Sequence, residues 1–211
     1  MKILVIGASQ GTGALCVSRA LEKGHEVTAF ARSPDKLALS NPRLTKVSGD
    51  FHNASSVNAA VPGHDAVIVT ASATRLSAFK ENPRYFSQGT GYVIDAMKQA
   101  NVKRLVVLSA LGTGESRKLA NAFVRIVLMD WVLKLPFEDH ERQEAQVMQS
   151  GLDWVIARPS GLSNGPARGA YQKKIAVESV PARISRADVA DFLVEACESP
   201  AWLGHAVQLG G

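Results

Sequence analysis

Cysteine is scarce in this sequence, and its scarcity bears on metal and redox chemistry. The chain of 211 residues has two cysteines, Cys16 and Cys197, each in an apolar context with helical spacing. They lie far apart and lack the short spacing of zinc or redox sites, so no metal site is expected. This cysteine usage fits a reduced, cytoplasmic compartment.

A targeting segment and a long uninterrupted apolar run are also missing. Met1 and Lys2 lead directly into a strand-like run, so no secretory signal is expected. The most apolar stretch, residues 119–135, contains Arg125, Asp130 and Lys134, which excludes an ordinary membrane span and a membrane partner.

The same apolar stretch, extended to residues 119–137, has almost no polar side as a helix and therefore needs cover. Three alternatives would provide that cover: packing in the core, contact with a second subunit, or bound substrate. The expected assembly is accordingly a monomer or a homodimer.

Positive charge exceeds negative charge but is not concentrated. Lysine and arginine number 24 against 19 acidic residues, which gives a net charge of +5. The basic residues occur as separated pairs, such as Lys103-Arg104 and Lys173-Lys174, and form no stripe. Nucleic acid is therefore not expected as a partner, whereas a small polyanionic ligand is.

Short apolar runs alternate with segments of helical spacing. The runs are apolar on successive residues, as in strands buried on both faces of a parallel sheet. They are Ile3–Ile6, Glu26–Ala31, Leu44–Val47, Ala66–Thr70, Leu105–Leu108, Trp154–Ala157 and, at the end, Ala206–Leu209. This alternation predicts an α/β fold, a doubly wound Rossmann fold with a mostly parallel sheet.

The chain length favours one domain over residues 1–211, with residues 158–211 forming a less regular substrate side. Helices are predicted over Ala14–Lys23 and Tyr92–Gln99. A third, with Ser185 as its N-cap, runs to about Glu198. Ligands of such sheets bind at the carboxyl ends of the strands, so the informative residues follow each strand.

The first strand leads into GASQGTG, with Gly7, Gly11 and Gly13 around Ser9, Gln10 and Thr12. Glycines in such a loop permit a tight turn, let the backbone approach a pyrophosphate and bring the helix close to the strand. The spacing is not the usual G-x-G-x-x-G, and no Lys-Ser/Thr pair follows as in an ATP-type loop. The loop predicts a dinucleotide site, with a purely structural turn as the alternative.

The end of the second strand lacks the acidic residue that would bind the ribose hydroxyls of NAD. Arg32 stands there instead, and a guanidinium suits the 2′-phosphate of NADP. Ser33 and Lys36 are expected to assist, although Ser33 before Pro34 also fits a helix N-cap. The predicted cofactor is NADP(H).

These motifs, taken together, resemble a known family. The sequence is similar to the atypical short-chain dehydrogenases/reductases of the NAD(P)-binding, NmrA-like group, and within it to biliverdin reductase B-type flavin reductases. The resemblance covers nearly the whole chain. It rests on GASQGTG (7–13), FARSPDKL (30–37), GDF (49–51), DAVIVTASATR (65–75), VVLSALG (106–112), EDHERQEAQVMQSGLDWVIARP (138–159), GPARGAY (165–171) and ISRADVADFL (184–193).

The resemblance implies roles for the residues after each strand. Residues 9–12 would line the phosphates, Arg32 would bind the 2′-phosphate, and Asp50 and Phe51 would flank the adenine. The nicotinamide and its ribose, with the substrate, would lie along Ala71, Ser72, Ala73, Ser109, Ala110, Leu111, Pro159, Ser160 and Leu162. Catalytic roles would fall to Ser109, to His140 as a proton donor near its ordinary pKa, and to Arg75, which would overhang the substrate. The alternatives are a strand-end serine bonded to the backbone, a helix-surface histidine and a solvated loop arginine.

The sequence also departs from its relatives. Its glycine spacing is that of tyrosine-dependent dehydrogenases, yet their Tyr-x-x-x-Lys is missing, because Gly89, Ala96 and Ile175 stand four residues after the three tyrosines. Gly161 replaces a substrate-side histidine of the biliverdin reductases, and residues 112–136 are longer than their counterpart. Arg158 is expected to pair with a carboxylate, such as Asp188.

A reductase of flavins, quinones or tetrapyrrole-like acceptors fits a good cofactor loop without an acid–base pair, because the cofactor supplies the hydride. The flavin would then be a substrate and not a bound prosthetic group. A non-catalytic NADP(H) sensor and, less favoured, a sugar-nucleotide epimerase or dehydratase are the alternatives.

Overall fold

The computed structural model describes residues 1–73, 75–119 and 131–211, in which strands and helices alternate. The strands are β1 (Lys2–Ile6), β2 (Glu26–Ala31), β3 (Leu44–Ser48), β4 (Ala66–Val69), β5 (Arg104–Leu108), β6 (Asp153–Pro159), β7 (Gly161–Ser163), β8 (Gln172–Lys174), β9 (Arg183–Ser185) and β10 (His205–Gly210). The helices are α1 (Gly11–Glu22), α2 (Ala54–Ala60), α3 (Ala78–Glu81), α4 (Tyr85–Gln99), α5 (Lys134–Met148) and α6 (Arg186–Glu198).

Eight of these strands form one sheet in the order β3-β2-β1-β4-β5-β6-β10-β8. All neighbours pair in parallel except β8, which runs antiparallel to β10 at one edge. The strand order reverses between β1 and β4, which is where a doubly wound fold binds its ligand. The predicted α/β Rossmann-type architecture is confirmed.

The sheet is covered on both faces, because its central strands are apolar on successive residues. Ile3 and Val5 of β1 belong to the core beneath α1 and α6, while Leu4 and Ile6 belong to the core beneath α2 and α4. Strand β3 is an exception to the predicted double burial, since it lies at the sheet edge and its residues are half-buried or exposed.

Helix boundaries differ from the sequence prediction at the amino ends. Helix α1 begins at Gly11, inside the glycine loop, and α4 begins seven residues before the predicted Tyr92. Both starts lie at the carboxyl edge of the sheet. Helix α6 begins as predicted after Ser185, whose side chain accepts a hydrogen bond from the Asp188 N–H.

The apolar stretch at residues 119–137 falls mostly on residues 120–130, outside the described part of the chain. Of its later residues, Trp131 and Val132 are exposed. The choice among core packing, subunit contact and substrate cover therefore stays a prediction, as does the expectation of a monomer or homodimer.

Candidate cofactor site at the carboxyl edge of the sheet

The three glycines of the first loop are required by three different constraints. Gly7 has φ +88°, and a Cβ there would lie 2.7 Å from the Ala71 nitrogen. Gly11 has φ +57° with open space around it, so its backbone is accessible to a ligand. A Cβ on Gly13 would lie 2.2 Å from the Gly7 oxygen, so only glycine lets α1 approach β1 this closely. These are the turn, ligand-approach and packing roles of a dinucleotide loop.

The amino end of α1 is left free to bind an anion. Its N-cap, Gln10, makes no side-chain capping bond, and the first turn contains no acidic residue. The first N–H groups of a helix lack intrahelical partners and carry partial positive charge. A phosphate at this position would satisfy both requirements.

A cavity of about 300 Å³ opens beside this helix end. It is formed at the carboxyl ends of β1, β2, β3 and β4, so it lies next to the strand-order reversal. Its lining includes most residues predicted to hold the phosphates and the adenosine, namely Gly7, Ser9, Gln10, Arg32, Ser33, Lys36, Asp50 and Phe51. It also includes Ala71 and Ser72, which were predicted to lie along the nicotinamide ribose. Gly11, Thr12 and Gly13 form the first turn of α1 next to the cavity.

Arg32 and Lys36 supply positive charge to the rim of this cavity. Both side chains are exposed, and within residues 1–73, 75–119 and 131–211 neither has a carboxylate partner. Two cationic side chains without carboxylate partners near the end of β2 suit the binding of a phosphate group. Ser33 precedes the 3₁₀ turn Pro34–Lys36, but its side chain makes no capping bond, so it is free to face the cavity.

Phe51 lines the cavity, but most of its side chain is buried, and its predicted place beside the adenine stays a prediction. Its ring packs into the core, so close to Gly89 that a Cβ on Gly89 would lie 2.3 Å from the ring. Asp50 is half-exposed at the cavity wall and accepts a hydrogen bond from the His52 N–H at 2.9 Å.

Among the lining residues that the sequence did not predict are two with polar side chains, His52 and Tyr85. His52 Nε2 lies 2.8 Å from the Tyr85 carbonyl oxygen and so donates to it, and its Nδ1 lies 3.5 Å from an Asp50 oxygen. The Tyr85 hydroxyl donates to the Ser72 carbonyl at 3.4 Å. Burial, together with nearby Asp50, raises the pKa of Tyr85 and outweighs the opposite effect of Arg32. The only sequence signal for His52 is its position directly after the GDF motif.

Arg75 lies on the same side of the site as Arg32. It lines a second cavity of about 270 Å³ that shares Arg32, His52 and Tyr85 with the first. Its guanidinium is mostly exposed and lies 3.6 Å from Glu81, a weak pair at the surface. The structure thus groups Arg75 with Arg32, while its predicted contact with substrate stays a prediction.

Ser109 belongs to a buried polar cluster at the carboxyl ends of β5 and β6. Its hydroxyl donates to Glu144 Oε1 at 2.6 Å. Arg158 donates to the same carboxylate from Nε at 3.0 Å and from Nη2 at 2.7 Å, and from Nη1 to Glu115 at 2.7 Å. Ser109, Glu144 and Arg158 are 5%, 3% and 1% exposed. We call these four residues the Ser109 cluster.

The Ser109 cluster corrects the predicted partner of Arg158. Arg158 does pair with carboxylates, but they are Glu144 and Glu115; Asp188 instead accepts from the backbone N–H groups of Arg168 and Gly169. Burial lowers the pKa of Arg158, but the bonds to both glutamates outweigh it and raise that pKa overall. The bond from Arg158 lowers the pKa of Glu115.

His140 is half-buried on α5. Its ring stacks on Phe86 at a centroid distance of 4.1 Å, and its Nδ1 lies 2.9 Å from the Gln143 amide oxygen. Burial lowers the pKa of His140, which corrects the expectation of an ordinary value. Less of the imidazole is therefore protonated at neutral pH than an ordinary pKa would give.

The residues after β5 and β6 are held together by backbone hydrogen bonds. The Leu111 N–H donates to the Pro159 carbonyl at 2.9 Å, and the Ser160 N–H donates to Leu209 at 2.9 Å. The buried hydroxyl of Ser160 has no partner in the described structure. Neither cavity includes these residues, nor Ala110 or Leu162, so their predicted contacts with nicotinamide and substrate stay predictions.

Helices long and apolar enough to cross a membrane do not occur in residues 1–73, 75–119 and 131–211.

The doubly wound sheet, the glycine loop and the cavity beside α1 define a dinucleotide-binding protein of the Rossmann type. Residues 7–200 match the family described as NAD(P)H-binding, and the chain belongs to that family. The predicted NAD(P)-binding character is thereby confirmed.

Three proteins with known names are similar to this chain in sequence or in fold. A 3-beta-hydroxysteroid dehydrogenase of Mycolicibacterium neoaurum is 38% identical over 115 residues, which cover 50% of this chain and 31% of that protein. The anaerobillin reductase ChuY of Escherichia coli O157:H7 is 25% identical with a TM-score of 0.82, covering 100% of this chain and 97% of that one. A short-chain dehydrogenase/reductase of Veillonella parvula in complex with NADP is 16% identical with a TM-score of 0.83, covering 100% and 94%.

The steroid dehydrogenase is thus matched over less than a third of its length. At 16% identity the Veillonella structure shows a shared fold alone. The named relatives include oxidoreductases.

Proposed function

We propose that this protein is an NADPH-dependent reductase that transfers a hydride to a flavin, quinone or tetrapyrrole-like acceptor. The observation that carries the proposal is the cavity beside α1, in which the glycine loop meets Arg32 and Lys36 without a carboxylate at the end of β2. An acidic residue at that strand end would favour NAD, whereas a guanidinium favours the 2′-phosphate of NADP.

The residues present fit NADPH. The backbone of Ser9, Gln10 and Gly11 and the start of α1 would hold the pyrophosphate, because the open space at Gly11 admits a ligand close to the main chain. Arg32 and Lys36 would bind the 2′-phosphate. The nicotinamide would lie toward the carboxyl ends of β4, β5 and β6.

When bound, NADPH supplies the hydride, so the protein needs to bind, orient and exclude water. Neither Ser109 nor His140 is a ready proton source: the Ser109 hydroxyl donates to Glu144, and the lowered pKa of His140 leaves less of its imidazole protonated at neutral pH. Conjugated acceptors such as flavins and quinones suit this arrangement, since their proton can come from solvent.

The acceptor class is further supported by ChuY, whose name is that of an anaerobillin reductase. The sequence resemblance to biliverdin reductase B-type flavin reductases points to the same group of flat, conjugated acceptors. We therefore place FMN, a quinone and biliverdin first among acceptors to test.

The test is a steady-state assay of NADPH oxidation at 340 nm with each acceptor in turn. We expect acceptor-dependent oxidation that is faster with NADPH than with NADH. A matched variant, Arg32→Ala, should lose most of that preference while retaining turnover at saturating cofactor.

Tight NADPH binding without oxidation by any acceptor would overturn the reductase proposal. That result would favour the alternative of an NADP(H)-responsive sensor, in which cofactor binding is read by a partner and no turnover occurs.

A further inference from the structure

We propose that Glu144 is a positioning residue that fixes Ser109 as a hydrogen-bond acceptor for the carboxamide N–H of the cofactor's nicotinamide ring. The inference rests on the proposed function for its cofactor, NADPH, and assigns a direction to the hydrogen bond that Ser109 makes.

The hydroxyl proton of Ser109 is already committed. Ser109 Oγ lies 2.6 Å from Glu144 Oε1, and a carboxylate can only accept hydrogen bonds. Arg158 donates to both oxygens of that carboxylate, at 3.0 and 2.7 Å. Ser109 must therefore be the donor in this pair, and its remaining lone pairs can only accept.

Glu144 cannot rotate away from the Ser109 hydroxyl, because the other members of the Ser109 cluster hold its carboxylate in place. Arg158 Nη1 also donates to Glu115 at 2.7 Å, and the side chains of Ser109, Glu144 and Arg158 are all buried. Gly114 covers the guanidinium: it has φ +55°, and a Cβ there would lie 3.1 Å from Arg158 Nη2. Breaking one side of this buried ion pair would leave an uncompensated buried charge, so its geometry is well fixed.

Ser109 stands where the nicotinamide half of a dinucleotide is expected. It directly follows β5, and its N–H donates to the Ala157 carbonyl of β6 at 2.8 Å, which fixes its backbone. The cavity beside α1 takes the adenosine half at the ends of β1, β2 and β3. An extended dinucleotide centred on the strand-order reversal then continues toward β4, β5 and β6.

The nicotinamide carboxamide offers both an N–H donor and a C=O acceptor, and an acceptor-only Ser109 selects the N–H. Glu144 thus determines which way the carboxamide is turned. The same arrangement means that the Ser109 proton is not available to the acceptor substrate.

The experiment compares the binding of two cofactors that differ at this group. NADPH carries the carboxamide, whereas its 3-acetylpyridine analogue keeps the carbonyl and lacks the N–H. Dissociation constants are measured by isothermal titration calorimetry for the wild type and for Ser109→Ala, Glu144→Gln and Ser150→Ala.

For Ser109→Ala we expect the dissociation constant of NADPH to rise roughly three- to tenfold and that of the analogue to change less than about twofold. For Glu144→Gln, the new amide N–H can donate to Ser109 and turn its hydroxyl toward the cofactor. The preference for NADPH over the analogue should then shrink or reverse. A purely structural effect would weaken the binding of both ligands by the same factor and leave the ratio of their dissociation constants unchanged.

Ser150→Ala is the matched control, since Ser150 is also a buried serine, donates to the Val147 carbonyl, and precedes β6 at the opposite edge of the sheet. For Ser150→Ala, the ratio of the two dissociation constants should equal that of the wild type. Equal affinity of the wild type for both ligands, or equal changes of both constants in Ser109→Ala, would overturn the proposal. If Glu144→Gln does not fold, the Ser109→Ala comparison decides alone.

The outcome is separable from that of the proposed function. If the ratio of the two dissociation constants shifts in the variants but no acceptor is turned over, this inference stands and the reductase proposal is overturned. If an acceptor is turned over but the ratio does not shift, the reductase proposal stands and this inference is overturned. A wild-type chain that does not bind NADPH would overturn both.

Discussion

Arg32 is the side chain on which the proposed preference for NADPH over NADH rests. It is exposed at the end of β2, lines both cavities and has no carboxylate partner among the described residues. Surface arginines often pair with nearby acids, so an unpaired guanidinium beside a glycine loop indicates an anionic ligand.

We predict that Arg32→Ala lowers the ratio of NADPH to NADH affinity by about 10- to 100-fold, since a charged hydrogen bond contributes about 1.5–3 kcal/mol. NADH affinity itself should hardly change. Fluorescence titration with both cofactors measures the ratio.

Lys98→Ala serves as the control, because it removes one exposed positive charge at the far end of α4. An unchanged ratio in Arg32→Ala would show that another group binds the 2′-phosphate.

Residues of the site differ in how well the sequence could reveal them. Gly7, Gly11, Gly13 and Arg32 lie in continuous motifs whose spacing has a physical meaning. Tyr85 carries no such signal: it reaches the cavity because α4 starts seven residues earlier than its apolar periodicity indicated.

At the scale of elements, the close approach of α1 to β1 depends on Gly13. Helix α1 packs on the sheet near the Gly7 carbonyl, and no side chain fits between them. The same contact positions the helix end that would bind a phosphate.

We predict that Gly13→Ala destabilises the fold by about 1–3 kcal/mol, the usual cost of overpacking. Gly91→Ala in α4 is the control: its Cβ would meet only a Gln146 oxygen at 3.9 Å, so it should be neutral or stabilising by up to about 1 kcal/mol. Urea unfolding measures both. Equal effects of the two variants would contradict this account of the loop.

Helix α5 is tied to the sheet by buried polar groups instead of a continuous apolar face. Glu144 binds Arg158 of β6, while Asp139 accepts from the Phe86 N–H and the Ser87 hydroxyl at the start of α4. These contacts join α4, α5 and β6 at the edge where the site lies.

We predict that Glu144→Ala lowers the free energy of unfolding by about 3–5 kcal/mol, because it leaves the Arg158 charge buried with Glu115 alone. Glu138→Ala, which removes an exposed pair with Lys134 on the same helix, should cost less than about 1 kcal/mol. Chemical denaturation at neutral pH compares them. Similar losses in both variants would mean that the Ser109 cluster contributes little.

The stability of the whole molecule should depend on pH through His140. Its folded pKa lies below the ordinary value of 6.5, so the unfolded chain takes up a proton that the folded chain does not. The contribution of His140 is therefore complete above about pH 6.5 and is lost as the pH falls through the folded pKa.

We predict that the urea midpoint of the wild type falls between about pH 7 and about pH 5, and that His140→Gln makes this fall smaller. Carboxylates with lowered pKa values, such as Glu115 and Asp188, lose their contribution at more acidic pH. Parallel pH curves for the wild type and the variant would contradict the lowered pKa of His140.

The sequence by itself determined the α/β fold, the position of the glycine loop and the charge at the end of β2. Each depends on neighbouring residues: successive apolar residues, glycine spacing and the residue at a strand end. The tertiary structure alone decided that Arg158 binds Glu144 and Glu115 instead of Asp188, that Ser109 donates to Glu144, and that Arg75 lies beside Arg32. These contacts join residues far apart in the chain, and packing of α5 and the connecting loops on the sheet determines which of several similar charges meet.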